Sequence, residues 1–580
     1  MNGRGWSARV AHVPRGRRQV RESHLRLLVP VALAVLATSV ASTPVSARNT
    51  SARPSGRSEV VTPSKVGEGE GHLIGESGVT GTQADRLTLP TPRNGHAATK
   101  PPPSEGGHVS RGGPSTGSPD SAAAASTKFA GMSQTASGYG AGFPPDSTIA
   151  RGSDRVLHLV NRRAKLLDST GGVFAVTDLN RFFGATSNGV PVGEALFDPK
   201  VIYDRGSQTY FAVALQGQTA SASNFYLAVS RPASPTSFAA SQWCRYVFDA
   251  RILFGGASTW ADYPGLGVGR NTLILTTNQY STTFEGGVIR AWSKNYFANN
   301  YSSCPAWKAP YLWTGYGPSQ ATRLPDTLQP ALHYTNPTGV TPATQPAYLI
   351  DTVGGGSTQY RVWKIASLAS GSPSLFGPAS LSGSSNNREP DRLAPGSLSN
   401  VGIDTGDTRM LQVAGRGDAL HAVHNVRCQF GGGENEVCVR YIQLSVGNTS
   451  NGGITTSVAQ QSVLGGGDGW YYTFPSIAVN NSGAAATAFN AVQVGGYRGS
   501  AWAAKTPTAS QFSSVSWLAQ GTCLLDATYD SRKGFYRAGD YSGAAADPDL
   551  SSIWVTSERS VNITGVGCGW QTHIARITGI

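Results

Sequence analysis

The chain has 580 residues, of which 71 are glycine and only 14% are charged, with 12 Trp, 21 Tyr and 19 Phe. That balance fits an all-β extracellular domain. The formal net charge is +13, but seven arginines and one glutamate precede residue 48, which leaves +7 for the rest of the chain. No Lys/Arg run is interleaved with aromatics, so a specific nucleic-acid partner is disfavoured, whereas a mild positive field suits acidic polymers such as anionic extracellular polysaccharide.

In chain order, an address label comes first. Arg4, Arg9, Arg15, Arg17, Arg18, Arg21 and Arg26 precede an apolar run from Leu27 to Val40, and Val45-Ser46-Ala47 offers small residues for cleavage, so residues 1–47 read as a signal peptide. The run is interrupted by Pro30 and is shorter than the roughly 20 residues that span a bilayer, so no stable membrane span is expected after processing. Arg17-Arg18 is a weak match to a twin-arginine signal, and no Cys follows the apolar run to take a lipid. Residues 48–140 are rich in Ser, Pro, Gly and Thr, and no aromatic residue occurs between Trp6 and Phe129. Such a segment buries too little apolar surface to offset its ordering entropy, so a disordered linker is expected.

From 141 to 580 a phrase recurs: Pro or Ser opening a run of small and β-branched residues, then a turn and a second alternating strand. Asp198-Pro199-Lys200-Val201, Asp262-Tyr263-Pro264-Gly265, Phe474-Pro475-Ser476-Ile477 and Asp540-Tyr541-Ser542-Gly543 are the clear copies. Weaker ones begin at Pro144, Gln329 and Arg409. Counted from 145, 199, 264, 330, 409, 475 and 542, the gaps are 54, 65, 66, 79, 66 and 67. A near-constant period signals a repeat architecture. Strand runs such as Tyr210–Leu215 and Thr272–Thr277 separate the copies, and about sixty residues hold four strands with generous loops. The expectation is an all-β β-propeller of seven four-stranded blades, or six if one phrase is misread.

Six cysteines lie within the repeats, an even number that argues for disulfides in an exported chain. Cys428 and Cys438 flank Gly431-Gly432-Gly433 and would clip a hairpin. The order then suggests Cys244 with Cys304 inside one blade and Cys523 with Cys568 near the closure. No C-x-x-C or matching His spacing supports a metal site. Asp404-Thr405-Gly406-Asp407 and Asp547-Pro548-Asp549 could give oxygen ligands to Ca²⁺ without completing a known loop; otherwise no cofactor is expected. His421 and His424 are three apart on a strand and face opposite sides, which makes them structural. No G-x-S-x-G elbow is present.

Pro144-Pro145-Asp146 followed by Val156–Asn161, the phrases at Asp198 and Ala261, Gly539-Asp540-Tyr541-Ser542 and Trp570-Gln571-Thr572 resemble a family of exported bacterial proteins with sialidase-like β-propellers, most of unassigned activity. The resemblance covers 141–580 and implies the fold. No S-x-D-x-G-x-x-W aspartate box occurs and an arginine triad cannot be picked out by motif, so no catalytic residue is carried over from it.

Repeat geometry supplies the candidates. Residues just before each innermost strand form a ring at one face, here Asp146, Asp198, Asp262, Gln329, Arg409 and Asp540, with Tyr263, Phe474 and Tyr541 beside them. Converging carboxylates, an Arg and aromatics could supply acid/base chemistry and a sugar-stacking floor. An Asp in this position also commonly accepts backbone N–H bonds from the next blade, and the recurrence of Asp-Tyr at 262/263 and 540/541 points to architecture. The non-repeated residues are therefore the other candidates: Arg388, Glu389, Asp391 and Arg392 in a dense charged loop, Trp470 and Tyr471 ahead of an inner strand, and Trp260. The reading is a secreted, monomeric propeller that binds an extracellular or cell-surface glycan or anionic polymer. The alternative is a sialidase-like glycan-degrading hydrolase or lyase using carboxylates among Asp198, Asp262, Glu389, Asp391 and Asp540.

Overall fold

In the computed structural model the described residues run from 123 to 580, apart from loops of which the longest are 335–345, 384–392 and 396–401, and are preceded by four strands of two or three residues. The chain divides into Met1–Ser55, which lies outside the described residues, and Gly56–Ile580. The second unit is an all-β propeller; its one described α-helix, Leu179–Phe183, is capped by Asp178, which accepts the Arg181 N–H at 2.8 Å, and ends at Gly184 with φ 77°.

Seven antiparallel four-strand meanders are traceable among the described residues. Meander I is Thr148–Arg151, Val156–Val160, Arg163–Leu167 and Val173–Asp178. Meander II is Phe197–Asp204, Thr209–Thr219, Ala222–Ser230 and Trp243–Asp249. Meander III is Trp260–Val268, Thr272–Tyr280, Phe284–Ser293 and Tyr311–Trp313. Meander IV is Gln329–Pro330, Ala347–Thr352, Gln359–Ile365 and Leu375–Ser382. Meander V is Met410–Arg416, Ala419–Cys428, Glu436–Asn448 and Ile454–Gly465. Meander VI is Trp470–Val479, Ala485–Gln493, Gly499–Lys505 and Ser516–Ala519. Meander VII is Gly543–Ala546, Ile553–Ile563, Gly567–Thr578 and, from the other end of the chain, Ala124–Ser133. Five of these are separate sheets, whereas III and V are joined by Leu332–Tyr334, which pairs in parallel with both inner strands. The inner strands pack in the cyclic order I to VII and back to I. Small residues such as Gly543-Ala544-Ala545-Ala546 let them converge on the axis, around a narrow channel with a cavity volume of about 50 Å³, lined by Ile149, Lys200, Ile202, Leu266, Gln412 and Ser542 among others.

The recurring phrase encodes a bulge. Each meander is preceded or opened by one residue with positive φ: Asp146 (48°), Asp198 (47°), Tyr263 (49°), Thr327 (50°), Gly406 (73°), Phe474 (54°) and Gly539 (100°). In II, III and VI the next residue is Pro199, Pro264 or Pro475, and strand register skips there, between Phe197 and Lys200, Asp262 and Gly265, and Thr473 and Ser476. A proline has no N–H to leave unpaired, which suits it to the bulge. Register by φ corrects register by phrase. The positions following the twisted residue are 147, 199, 264, 328, 407, 475 and 540, so the copies read from 145, 330, 409 and 542 are each displaced by two.

All three disulfides form: Cys244–Cys304, Cys428–Cys438 and Cys523–Cys568, with Cα atoms 5.3, 5.9 and 5.8 Å apart. The first differs from expectation in place. Cys244 is on the outer strand of meander II and Cys304 in the loop before the outer strand of III, so it ties two meanders instead of closing within one.

Part of the linker belongs to the fold. Ala124–Ser133 pairs with the third strand of meander VII, closing the ring with strands from both ends of the described chain. Met132 is buried, and Phe129 packs 6.4 Å from the Trp554 ring. The composition concealed this, because alternate residues of one edge strand suffice. Further upstream, Val60–Val61, Ser64–Lys65, Gly71–Leu73 and His108–Val109 add by backbone to the outer strands of IV, III, II and V. Starting the chain at 134 instead of 56 should therefore cost more than about 3 kcal/mol, above a typical single large-to-small core change. Urea unfolding of the two chains checks this, and equal midpoints would show that the closing strand is dispensable.

Candidate functional site

The bulges gather buried charge at one mouth of the axial channel. Asp146, Asp198, Asp262, Asp404 and Asp540 are all buried there, with Arg537 buried and Lys200, Arg409 and Tyr263 half-buried. Arg537 Nη2 lies 2.5 Å from Asp540 Oδ2, with its Nε 3.9 Å from Asp404 Oδ2. Arg409 donates to Asp407 through Nε at 2.6 Å and Nη2 at 2.5 Å, and its guanidinium carbon sits 3.9 Å above the Tyr263 ring. Tyr263 and Tyr541 meet edge to face with centroids 5.7 Å apart. Tyr541 donates its hydroxyl to Asp198 Oδ2 at 3.2 Å, and Lys200 Nζ lies 3.0 Å over the Tyr541 ring.

The four central carboxylates are not copies of one packing device. Relative to the positive-φ residue, Asp146 and Asp198 are that residue, Asp262 precedes it, and Asp540 follows it. The Asp-Tyr pairs at 262/263 and 540/541 are thus two positions out of step, which removes the argument from their recurrence. The repeated staple is an asparagine. Asn161, Asn278 and Asn425, at the ends of second strands, accept through Oδ1 the backbone N–H of Asp198, Thr327 and Phe474 at 2.7, 2.6 and 3.1 Å. Each donating N–H belongs to the positive-φ residue of the next meander, a conformation that costs of order 1–3 kcal/mol for a non-glycine residue and needs such support.

The aspartates differ in what they touch. Asp146 is architectural in part: Oδ1 accepts the Asp540 N–H at 2.6 Å and Oδ2 accepts Asn161 Nδ2 at 2.6 Å. Gly539 makes this close approach possible, since a Cβ there would meet Glu558 Oε1 at 2.6 Å and Asp146 Oδ1 at 3.4 Å. Glu558 in turn pairs with Arg498, both buried. Asp262 stands apart, because its Oδ1 is buried with no hydrogen-bond partner.

Burial and like charge keep protons at this mouth. Asp262 is pushed up to about 7 by desolvation and Asp540, against the pull of the Tyr263 N–H, Arg409 and Arg537. Burial, with Asp540 and Asp198 acting on Asp146 and with Asp262 and Asp540 acting on Asp198, raises both well above the carboxylate range. Burial raises Glu558 to about 8, and Asp146 adds to it. Lys200 is lowered to about 7 by burial, although Asp198, Asp146 and Asp540 oppose it. Both Tyr263 and Tyr541 are driven up by burial and by the carboxylates, so the phenols stay neutral.

Of the residues expected from sequence, the structure brings together Asp198, Asp262, Asp540, Tyr263, Tyr541 and Arg409. Trp260 flanks them: it stacks on Tyr280 at 5.2 Å, and Tyr280 feels the charges of Arg409 and Asp262. Trp470 packs elsewhere, against Trp517 at 5.9 Å, and Tyr471 is buried with Val437 and Val492. Arg388, Glu389, Asp391 and Arg392 lie outside the described residues. Sequence reasoning missed Lys200, Tyr280 and Arg537, and considered Asp404 only as a calcium ligand. A signal existed for Lys200, a charged residue in an otherwise small and β-branched inner strand. His421 and His424 are buried, bonded to Tyr441 OH at 2.9 Å and Tyr360 OH at 3.1 Å, and burial holds both down at about 3. The acidic pairs considered for calcium are engaged by arginine: Asp404 by Arg537, Asp407 by Arg409, and Asp547 by Arg151 and Arg576 at 3.7 and 3.3 Å.

No protein-family model matches the chain, and no curated protein matches it. Solved structures that it resembles include the sialidase of Trypanosoma rangeli with difluorosialic acid, at 10% identity and TM-score 0.30 over 77% of this chain. The chain spans 59% of that sialidase's length. An α-L-arabinofuranosidase from Fusarium graminearum aligns at 8% identity and TM-score 0.32, covering 77% of this chain and 98% of its own. The α-L-arabinanase of Cellvibrio cellulosa aligns at 9% identity and TM-score 0.26, covering 56% and 96%. These neighbours act on glycans; the propeller itself is established by the strand pairing described above.

Proposed function

We propose that the chain is an exported, seven-bladed propeller that cleaves an extracellular glycan at the channel mouth. The eleven-stranded sheet is two blades bridged by one short strand, which supports seven. The leader and the three disulfides support export. The observation that carries catalysis is Asp262. It is a buried carboxyl with an unpartnered oxygen, at a repeat position that blade packing does not use, and it holds its proton near neutral pH. Two carboxyls in contrasting surroundings suit glycoside cleavage. Asp262 donates its proton to the leaving oxygen as the glycosidic C–O bond breaks, and a solvent water adds to the anomeric carbon and gives up a proton that restores Asp262. Asp540, ion-paired with Arg537, supplies negative charge to an oxocarbenium-like transition state. Tyr263 and Tyr541 hold Arg409 and Lys200 against their ring faces and so fix the two cations beside the carboxyls.

The test is the pH dependence of product release from glycan substrates by the purified chain. A general acid titrating near 7 requires activity to fall as pH rises through that value. Glycans that bind without any product at pH 5 to 8 would leave a binding module, and activity undiminished up to pH 9 would exclude Asp262 as the acid.

A further inference from the structure

The chain's overall positive charge points to acidic polymers, but the mouth offers no uncompensated positive charge. Burial and like charge hold Asp146, Asp198 and Asp262 toward the protonated form, and the remaining carboxylates, Asp404, Asp407 and Asp540, face Lys200, Arg409 and Arg537. Neither guanidinium presents an open fork. Arg409 spends Nε and Nη2 on the two oxygens of Asp407, and Arg537 spends Nη2 on Asp540 with Asp404 beside its Nε. A bound carboxylate or sulfate is recognised best by a planar, unoccupied Arg fork. What the mouth leaves without hydrogen-bond partners are single positions on separate groups: Arg409 Nη1 and Arg537 Nε as donors, the Asp262 carboxyl through Oδ1, and the Ser542 hydroxyl on the channel wall. Scattered single donors and acceptors of this kind match sugar hydroxyls better than the paired oxygens of a carboxylate or sulfate.

We infer that the mouth is built for an uncharged sugar unit, and that the Asp407–Arg409 pair is the element that excludes anionic sugars. Asp407 neutralises Arg409 and fixes it flat on Tyr263, so the guanidinium keeps only its Nη1 for a hydroxyl and repels no neutral ligand. An incoming uronate or sialate finds both guanidiniums already paired with carboxylates, and would be desolvated without a cation to receive it. This inference rests on the glycan reading of the same mouth.

The experiment compares binding and product release for neutral oligosaccharides (gluco-, galacto-, xylo- and arabino-) and for oligouronates and sialyl-lactose, using the wild-type chain and Asp407→Asn. The wild type should bind neutral oligomers at least tenfold more tightly than oligouronates, with little change between 50 and 500 mM salt. Asp407→Asn should tighten oligouronate binding at least tenfold, with an affinity that weakens with salt. If the variant fails to fold, the wild-type preference and its salt independence decide alone. A wild type that prefers the anionic panel overturns the charge assignment while leaving the glycan reading intact. Failure of both panels to bind wild type overturns the glycan reading and, with it, this inference.

Discussion

Replacing Asp262 by Asn should lower kcat/KM for glycan cleavage by about 10²–10⁴, the usual contribution of a positioned general acid, while the fold stays as stable or gains stability. The amide keeps the shape but carries no transferable proton. Stability should not suffer, because Oδ1 has no partner to lose. The pH dependence separates this from a packing role. A carboxyl raised in the folded state to about 7 contributes stability that is complete below its unfolded value of roughly 3.9 and is lost as pH rises through the folded one. The wild type should therefore be weaker relative to Asp262→Asn at pH 8 than at pH 5. Melting both proteins at the two pH values, beside initial rates, measures this. A variant that melts early and keeps its turnover would return Asp262 to architecture.

Asn425→Ala should do the reverse. It removes the acceptor of the Phe474 N–H at 3.1 Å and the donor to Thr405 O at 2.7 Å. Both partners are buried between meanders V and VI, so the loss should reach about 2–4 kcal/mol from two orphaned backbone groups. The Phe474 backbone has φ 54°, and without the staple nothing opposes its relaxation. Chemical denaturation gives the free energy. A loss under about 0.5 kcal/mol would mean that the bulges hold themselves. Side by side, the two variants divide the ring into asparagines that assemble the blades and a carboxylate that blade packing does not need.

The repeat period was legible because each meander spends a similar number of residues on the same strands and turns, and the three disulfide pairs followed from order and hairpin spacing. The site was half legible. Asp198, Asp262, Asp540, Tyr263, Tyr541 and Arg409 all stand within three residues of a positive-φ position, so knowing where inner strands begin is enough to converge them. Their ranking was not legible. Reading Asp262 and Asp540 as equivalent came from aligning Asp-Tyr with Asp-Tyr, when the backbone aligns Tyr263 with Gly539; a two-residue displacement leaves the strand pattern intact, since side chains alternate with period two.

What the sequence by itself determined, then, is whatever depends on local spacing: β repeats, the axial ring of phrases, the covalent staples. Only the tertiary structure decided which residues answer across meanders. Arg537 reaches Asp404 from 133 positions away, Tyr541 reaches Asp198 from 343, and Ala124–Ser133 closes on Gly567–Thr578. The reason is physical. Burial and like charge set each group's protonation, and both depend on neighbours that a closed ring brings together from opposite ends of the chain.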